Sequence, residues 1–182
     1  MLVVAADTAS VVTRPPTALL AAAIAGALRR CPELVVCILQ GLTDPNTGKN
    51  LLHSLSSDFD GRVFMVQVEP RARLLDVAAF IDQANIFVTG DTGLMHLAVT
   101  EKRLREGANA GLLPHHSVKI IALFGGTNPH LFGYSGQTTI LGRGRKEQLT
   151  LVPGIFKGSY DPKGQDMFDH ISPQHLTDAI IR

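Results

Sequence analysis

Short apolar runs alternate with segments of helical periodicity along the chain. The apolar runs have the length of buried strands, and the segments between them repeat apolar residues every three or four positions. Strands are predicted at residues 2–6, 34–39, 63–68, 85–88 and 119–124, with short extended pieces at 138–141 and 148–152. Helices are predicted at residues 17–30, 46–56 and 73–83, from about 94 onward, and at 173–181. This alternation predicts an α/β fold, a Rossmann-like doubly wound parallel sheet with ligands at the carboxyl ends of its strands.

Length and composition bound the class of protein. The 182 residues suit a single domain, 1–182, with a sizeable core. A hydrophobic content of 45% and a charged content of 18% are ordinary for a parallel sheet covered by helices on both faces. The formal net charge of +1 argues against a nucleic-acid partner, which usually meets a concentrated basic face. Because no apolar run reaches the roughly 18–20 residues that cross a bilayer, we expect no transmembrane segment.

The two cysteines point to a reducing compartment. Cys31 and Cys37 have neither the spacing of a zinc site nor the number of a disulfide framework. We therefore expect two buried thiols, no metal site and a cytoplasmic protein.

The strongest candidate chemistry lies in residues 85–98, which are predicted to form a strand, a tight turn at 90–93 and a helix. The N-terminus of a helix presents backbone N–H groups that have no acceptor within the helix, and it favours an anion such as a diphosphate. A glycine there lets a ligand approach the backbone closely. The candidate ligand-binding residues of this segment are Asp91, Thr92, Gly93, Leu94 and His96.

Each polar residue of this segment also has a structural explanation. Asp91 could be only the N-cap of the helix, and His96 could be a buried histidine with one satisfied nitrogen. A second segment favours the functional interpretation, because the predicted strand at 119–124 runs directly into Phe-Gly-Gly-Thr-Asn-Pro at residues 124–129.

Together, the two segments resemble the nucleotide-sugar-binding half of glycosyltransferase family 9, the heptosyltransferases, which have the GT-B fold. The family's Asp-(Thr/Ser)-Gly-x-x-His-Leu-Ala motif is present at residues 91–98, and its Phe-Gly-x-Thr-x-Pro motif at residues 124–129. The resemblance implies that this chain is the C-terminal half of a GT-B architecture, without the N-terminal acceptor domain. It further implies inverting transfer from a nucleotide sugar, for which ADP is one candidate nucleotide, without a cofactor, in the biosynthesis of lipopolysaccharide.

The resemblance extends, with decreasing strength, to two other loops. A basic residue of the family that helps to hold the diphosphate aligns with Thr13, and Arg14 stands beside it, so both become candidate donor-binding residues. An arginine that faces solvent at the start of a helix is an equally good explanation of Arg14. Ala72 lies in a segment, residues 69–74, that resembles the loop against the nucleobase.

The resemblance places no catalytic residue in this chain, because the general base of a GT-B enzyme belongs to the other domain. His96 is the candidate for stabilising the departing diphosphate. We therefore expect the chain alone to be inactive, with a nucleotide sugar and an N-terminal GT-B domain as partners and with peripheral membrane contact left open. Two rival functions are a non-catalytic nucleotide- or sugar-binding module and a GT-B-like nucleotide-sugar epimerase, for which Asp7 and Asp44 are the candidate carboxylates.

Overall fold

The computed structural model contains six strands and six helices in the part of the chain that it describes. That part comprises residues 1–8, 13–41, 44–68, 74–108, 117–125, 127, 129–134, 138–141 and 168–182. The strands are β1 (Leu2–Ala5), β2 (Val36–Gln40), β3 (Val63–Gln67), β4 (Ile86–Gly90), β5 (Lys119–Leu123) and β6 (Thr138–Leu141). The helices are α1 (Thr17–Arg30), α2 (Pro45–Ser56), α3 (Leu74–Asp82), α4 (Gly93–Ala108), α5 (Pro129–Phe132) and α6 (Pro173–Ile181).

All six strands pair in parallel, in the order β3-β2-β1-β4-β5-β6. The chain moves outward from β1 to β3, returns to place β4 beside β1, and then continues outward to β6. The predicted doubly wound fold is therefore confirmed. The strand order reverses between β1 and β4, and in such sheets a ligand crevice forms at that point, beyond the carboxyl ends of the strands.

The central strands β1, β2, β4 and β5 are buried on both faces, as their almost continuous apolar residues predict, whereas Phe64 of β3 is 49% exposed. Successive side chains of a strand point to opposite faces. Leu2 and Val4 of β1 accordingly pack with apolar residues of α1, α2 and α6, whereas Val3 and Ala5 pack with residues of α3 and α4. Helices on both faces leave the carboxyl edge of the sheet as the place where the loops gather.

Helix α6 closes the fold by packing on α1. Ser172 caps its N-terminus by accepting a hydrogen bond from His175 N at 3.1 Å. Thr177 is buried and donates its hydroxyl to the Ala23 carbonyl oxygen at 3.0 Å. Gly26 permits this close approach, since a Cβ there would lie 2.8 Å from the Thr177 hydroxyl oxygen.

The structure corrects three details of the sequence analysis. Strand β4 does not end at Val88 but continues through Gly90, because Thr89 and Gly90 pair with β5. The short helix α5 was not predicted. Cys37 is buried, and burial raises the pKa of its thiol, whereas Cys31 is only half-buried because it terminates α1 rather than lying in a strand. The predicted extended piece at 148–152 lies outside the described residues.

Candidate functional site

The N-terminus of α4 lies at the carboxyl edge of the sheet, where the strand order reverses between β1 and β4. Strand β4 ends at Gly90 and α4 begins at Gly93, so only Asp91 and Thr92 connect them. The first N–H groups of the helix have no acceptor within it. A Cβ placed on Gly93 would have no atom of the described residues within 4 Å. Among the described residues, nothing therefore fills the space beside Gly93, at the predicted anion site.

The cap of α4 is Thr92 rather than Asp91. Thr92 accepts a hydrogen bond from Met95 N at its side-chain oxygen, at 3.4 Å, and another at its carbonyl oxygen, at 3.0 Å. The Thr92 hydroxyl also lies 3.2 Å from that of Thr89. The structural explanation of Asp91 as the helix cap is therefore not what the structure shows. The Asp91 side chain is 10% exposed, and its Oδ1 lies 3.6 Å from His96 Nε2.

His96 stands at the rim of this opening and is 40% exposed, so it is not the buried histidine of the structural alternative. Its Nδ1 lies 2.8 Å from the hydroxyl oxygen of Tyr134. The two rings meet edge to face, with centroids 5.5 Å apart and planes at 77°. The Arg103 guanidinium lies over the Tyr134 ring, 5.0 Å from its centroid.

Tyr134 was missed by the sequence analysis. Tyr134 comes shortly after the second motif in the chain. Phe124 is buried directly after β5, and α5 begins at Pro129 and ends just before Gly133 and Tyr134. Gly125 lies under the ring of Phe168, which a Cβ at that position would overlap. The sequence could have indicated Tyr134 as a candidate site residue, because it lies only a few positions after the end of the second motif.

The loop between β1 and α1 lies directly on the end of β4. A Cβ on Gly90 would overlap the carbonyl oxygen of Thr13 and come within 3.1 Å of Pro15 Cδ. The Thr13 hydroxyl is buried and donates to the Thr8 hydroxyl at 3.1 Å. The structure thus brings Thr13 beside the α4 N-terminus, where the sequence resemblance expects a donor-binding loop.

Arg14 is held between two aspartates, an arrangement of Arg14, Asp7 and Asp44 that we name the Arg14 clamp. Arg14 Nη1 donates to Asp44 Oδ2 at 2.6 Å, and Nη2 lies 3.4 Å from Asp7 Oδ1 and donates to the Thr8 carbonyl oxygen at 3.0 Å. The Arg14 side chain is 21% exposed and the Asp7 side chain 4%. Arg14 is therefore not a solvent-facing arginine, and its single positive charge faces two carboxylates.

Asp44 has a second role, as the N-cap of α2. It accepts hydrogen bonds from Asn46 N at 3.0 Å and from the Thr47 hydroxyl at 2.9 Å. The hydrogen bond from Asn46, followed by that from Thr47 and the charge of Arg14, lowers the pKa of the Asp44 carboxyl. Its own N–H donates to Asp7 Oδ2 at 3.0 Å. Both candidate carboxylates of an epimerase are thus engaged with Arg14, and that of Asp7 also accepts the hydrogen bond from the Asp44 backbone.

Three further predictions concern nucleobase contact, metal binding and membrane-spanning helices. Ala72, the candidate for nucleobase contact, lies outside the described residues. Across the described ranges, no three His, Cys, Asp or Glu side chains group together as metal ligands. Among the helices described, none combines the length and the apolar character needed to cross a membrane.

Comparison with known proteins shows what the chain resembles. Residues 36–105 match the family model described as Glycosyltransferase family 9 (heptosyltransferase). That match includes the first motif at residues 91–98 and ends before the second. No curated protein matches the sequence.

One solved structure, that of E. coli ADP-heptose lps heptosyltransferase II, superposes with a TM-score of 0.64 at 16% sequence identity. The superposition covers 99% of this chain and 45% of the E. coli chain, so this chain spans about half the length of that enzyme. The family resemblance is thus confirmed over residues 36–105, less than half of the chain, and the chain has the fold of about half of the E. coli heptosyltransferase II.

Proposed function

We propose that this chain is the donor-binding part of a heptosyltransferase-like glycosyltransferase and binds the diphosphate of a nucleotide sugar for inverting transfer. The observation that carries the proposal is the open N-terminus of α4 at the reversal of strand order, with the Thr13 loop packed beside it. A helix N-terminus binds phosphate through N–H groups that point outward and through the positive end of the helix dipole. The family match over residues 36–105 supports the same assignment.

Each donor-binding residue has a distinct task in this proposal. The N–H groups of Gly93 and Leu94 donate to diphosphate oxygens, while the Thr92 side chain holds the first turn of the helix in place. The Asp91 carboxylate repels an anion but accepts hydrogen bonds from hydroxyl groups, so it suits the sugar end of the donor. His96 lies within reach of the same opening, as a donor of a hydrogen bond to the leaving diphosphate.

The Arg14 clamp changes the electrostatics expected from the sequence. The guanidinium of Arg14 faces Asp7 and Asp44. These carboxylates offset its attraction for a diphosphate. The attraction for the diphosphate therefore comes mainly from the α4 N-terminus and His96. The clamp instead orients the loop that carries Thr13.

Catalysis in this proposal is stabilisation of the leaving group. Negative charge grows on the diphosphate as the glycosidic bond breaks, and preorganised donors stabilise that charge more in the transition state than in the ground state. The base that deprotonates the acceptor hydroxyl would come from another domain. We accordingly expect the chain by itself to bind a donor without transferring sugar.

The clamp also separates the rival functions. An epimerase needs carboxylates that can exchange protons with the sugar, and Asp7 and Asp44 are instead held by Arg14 and by backbone and hydroxyl donors. A non-catalytic binding module would use the same α4 N-terminus. It would differ from the proposed enzyme in one respect: it would transfer no sugar even when the domain that carries the general base is supplied.

The binding site is tested by titrating the protein with ADP, UDP and GDP, using calorimetry and backbone NMR. We expect at least one nucleotide to shift the amide signals of Thr92, Gly93 and Leu94. Gly93→Val should abolish binding, because its side chain would fill the space in front of the helix. Its folding should be retained, because Gly93 has a negative φ and no neighbour that a side chain would strike.

A matched control is available in the same helix. Gly107 also has open space around an added Cβ and lies near the far end of α4. Gly107→Val should leave nucleotide binding intact. The proposal fails if no nucleotide shifts the three amide signals, or if the two valine variants bind equally well.

A further inference from the structure

We infer that Tyr134 is a positioning residue that holds the ring of His96 so that its Nε2–H points toward the α4 N-terminus. The inference rests on the proposed function, and it assigns a role to a residue that belongs to neither motif. The two side chains are 38 positions apart, and their polar atoms lie within 2.8 Å of each other.

The hydrogen position follows from the two groups that face the imidazole. A neutral imidazole carries hydrogen on one nitrogen and accepts a hydrogen bond on the other. Nε2 faces the Asp91 carboxylate at 3.6 Å, and an ionised carboxylate can only accept. The arrangement therefore favours hydrogen on Nε2, and Nδ1 then accepts a hydrogen bond from the Tyr134 hydroxyl. At 3.6 Å the Nε2–H is not consumed by a hydrogen bond to Asp91 and remains able to turn to a ligand oxygen.

Tyr134 is itself held on several sides. It packs against the cluster formed by Met95, Ala122 and Phe124, which joins α4 to β5. Its ring meets that of His96 edge to face, and the Arg103 guanidinium covers it at 5.0 Å. A side chain fixed in this way can fix the orientation of the ring to which it is bonded, as the partners of functional histidines generally do.

The orientation matters because His96 would otherwise turn freely. It is 40% exposed, so its own packing does not determine which ring edge faces the opening. With Tyr134 bonded to Nδ1, the other ring nitrogen is directed to the side of Asp91 and the helix N-terminus. A residue that follows the second motif thus adds to the site that the first motif begins.

The test compares Tyr134→Phe with Thr100→Val. Tyr134→Phe removes the hydroxyl and keeps the ring, so the variant should fold. Thr100 is the matched control, since its hydroxyl donates to the backbone oxygen of His96 at 2.9 Å and does not touch the ring. Nitrogen NMR of the histidine ring reports directly which nitrogen carries the hydrogen, and calorimetry with ADP reports donor affinity.

We expect wild type and Thr100→Val to show hydrogen on Nε2 of His96 and a hydrogen-bonded Nδ1, and Tyr134→Phe to show a shifted Nδ1 signal because the hydrogen bond to that nitrogen is lost. The loss of one oriented hydrogen bond should weaken ADP binding by roughly 3- to 10-fold. Unchanged ring signals in Tyr134→Phe would overturn the inference, and so would changed signals with unchanged affinity. If the wild type binds no nucleotide, the proposed function fails, and the ring signals still decide whether Tyr134 holds the His96 ring through Nδ1.

Discussion

Two polar clusters at the carboxyl edge of the same sheet are built in opposite ways. In the Arg14 clamp, each charged group faces an opposite charge, and the Asp7 side chain is 4% exposed. At the α4 N-terminus, the first N–H groups of the helix lie beside Gly93, where an added Cβ would meet no atom of the described residues, and the nearby His96 side chain is 40% exposed. The comparison teaches that the density of charged side chains does not mark the ligand site. The proposed site instead lies where hydrogen-bonding groups are accessible, because the one clamp donor that lacks a partner among the described residues, Arg14 Nε, is buried.

The two clusters nevertheless depend on each other. The clamp joins the loop after β1 to the start of α2, and the same loop places Thr13 and Pro15 against Gly90. The Arg14 clamp therefore positions the loop beside the proposed ligand site, although the clamp need not contact the ligand. Three substitutions, each with a matched control, test the structural contribution of the clamp and of the loop that it holds.

The largest expected effect is that of Arg14→Leu. Removing the guanidinium leaves the buried Asp7 carboxylate without its opposing charge, and breaking such a buried pair typically costs about 3 kcal/mol of the free energy of unfolding. Urea unfolding monitored by circular dichroism measures this loss.

Arg30→Leu is the matched control. Arg30 donates to Asp178 at 2.8 Å, but its side chain is 51% exposed, so the loss should stay below about 1 kcal/mol. If the two arginine variants lose equal stability, the clamp is an ordinary surface pair and the contrast drawn between the two clusters is wrong.

An intermediate effect is expected for Gly90→Ala, compared with Gly93→Ala. The added methyl at Gly90 overlaps the Thr13 carbonyl oxygen, and such overpacking costs about 1–3 kcal/mol of the free energy of unfolding. The methyl at Gly93 meets no atom of the described residues, so its folding should be unaffected. Thermal unfolding of both variants checks this difference. Equal melting temperatures would show that the Thr13 loop does not lie against β4.

The smallest effect is the acid dependence of stability in Asp44→Asn. Hydrogen bonds from Asn46 and Thr47, together with Arg14, lower the pKa of Asp44 in the folded protein below its usual 3.8. The stability from the carboxylate is therefore fully present above pH 3.8 and is lost as the pH falls through the lower, folded-state pKa. The asparagine variant should be less stable near neutral pH and lose less stability on acidification.

Urea unfolding at several pH values below neutrality measures that slope. Asp178→Asn provides the comparison, because Arg30 lowers the pKa of Asp178 through a separate hydrogen bond on α6. Each variant should remove its own part of the acid dependence. An unchanged slope in Asp44→Asn would show that the clamp does not stabilise the ionised carboxylate.

The sequence by itself determined the class of fold and the location of the first motif. Helix α1 has the predicted bounds of 17–30 and α6 those of 173–181, because the periodicity of a helix is a local property of the chain. The strand–helix alternation similarly determined a doubly wound sheet, since parallel strands require crossover connections. Short apolar runs were located to within about two residues.

Only the tertiary structure decided how the site is assembled. The extension of β4 through Gly90 depends on pairing with β5, and the exclusion of Asp91 as helix cap depends on the geometry of Thr92. Tyr134 meets His96 across 38 residues, and Arg14 meets Asp44 across 30. Such contacts leave no local period in the sequence, because they arise from loops that only the strand order brings to the same edge of the sheet.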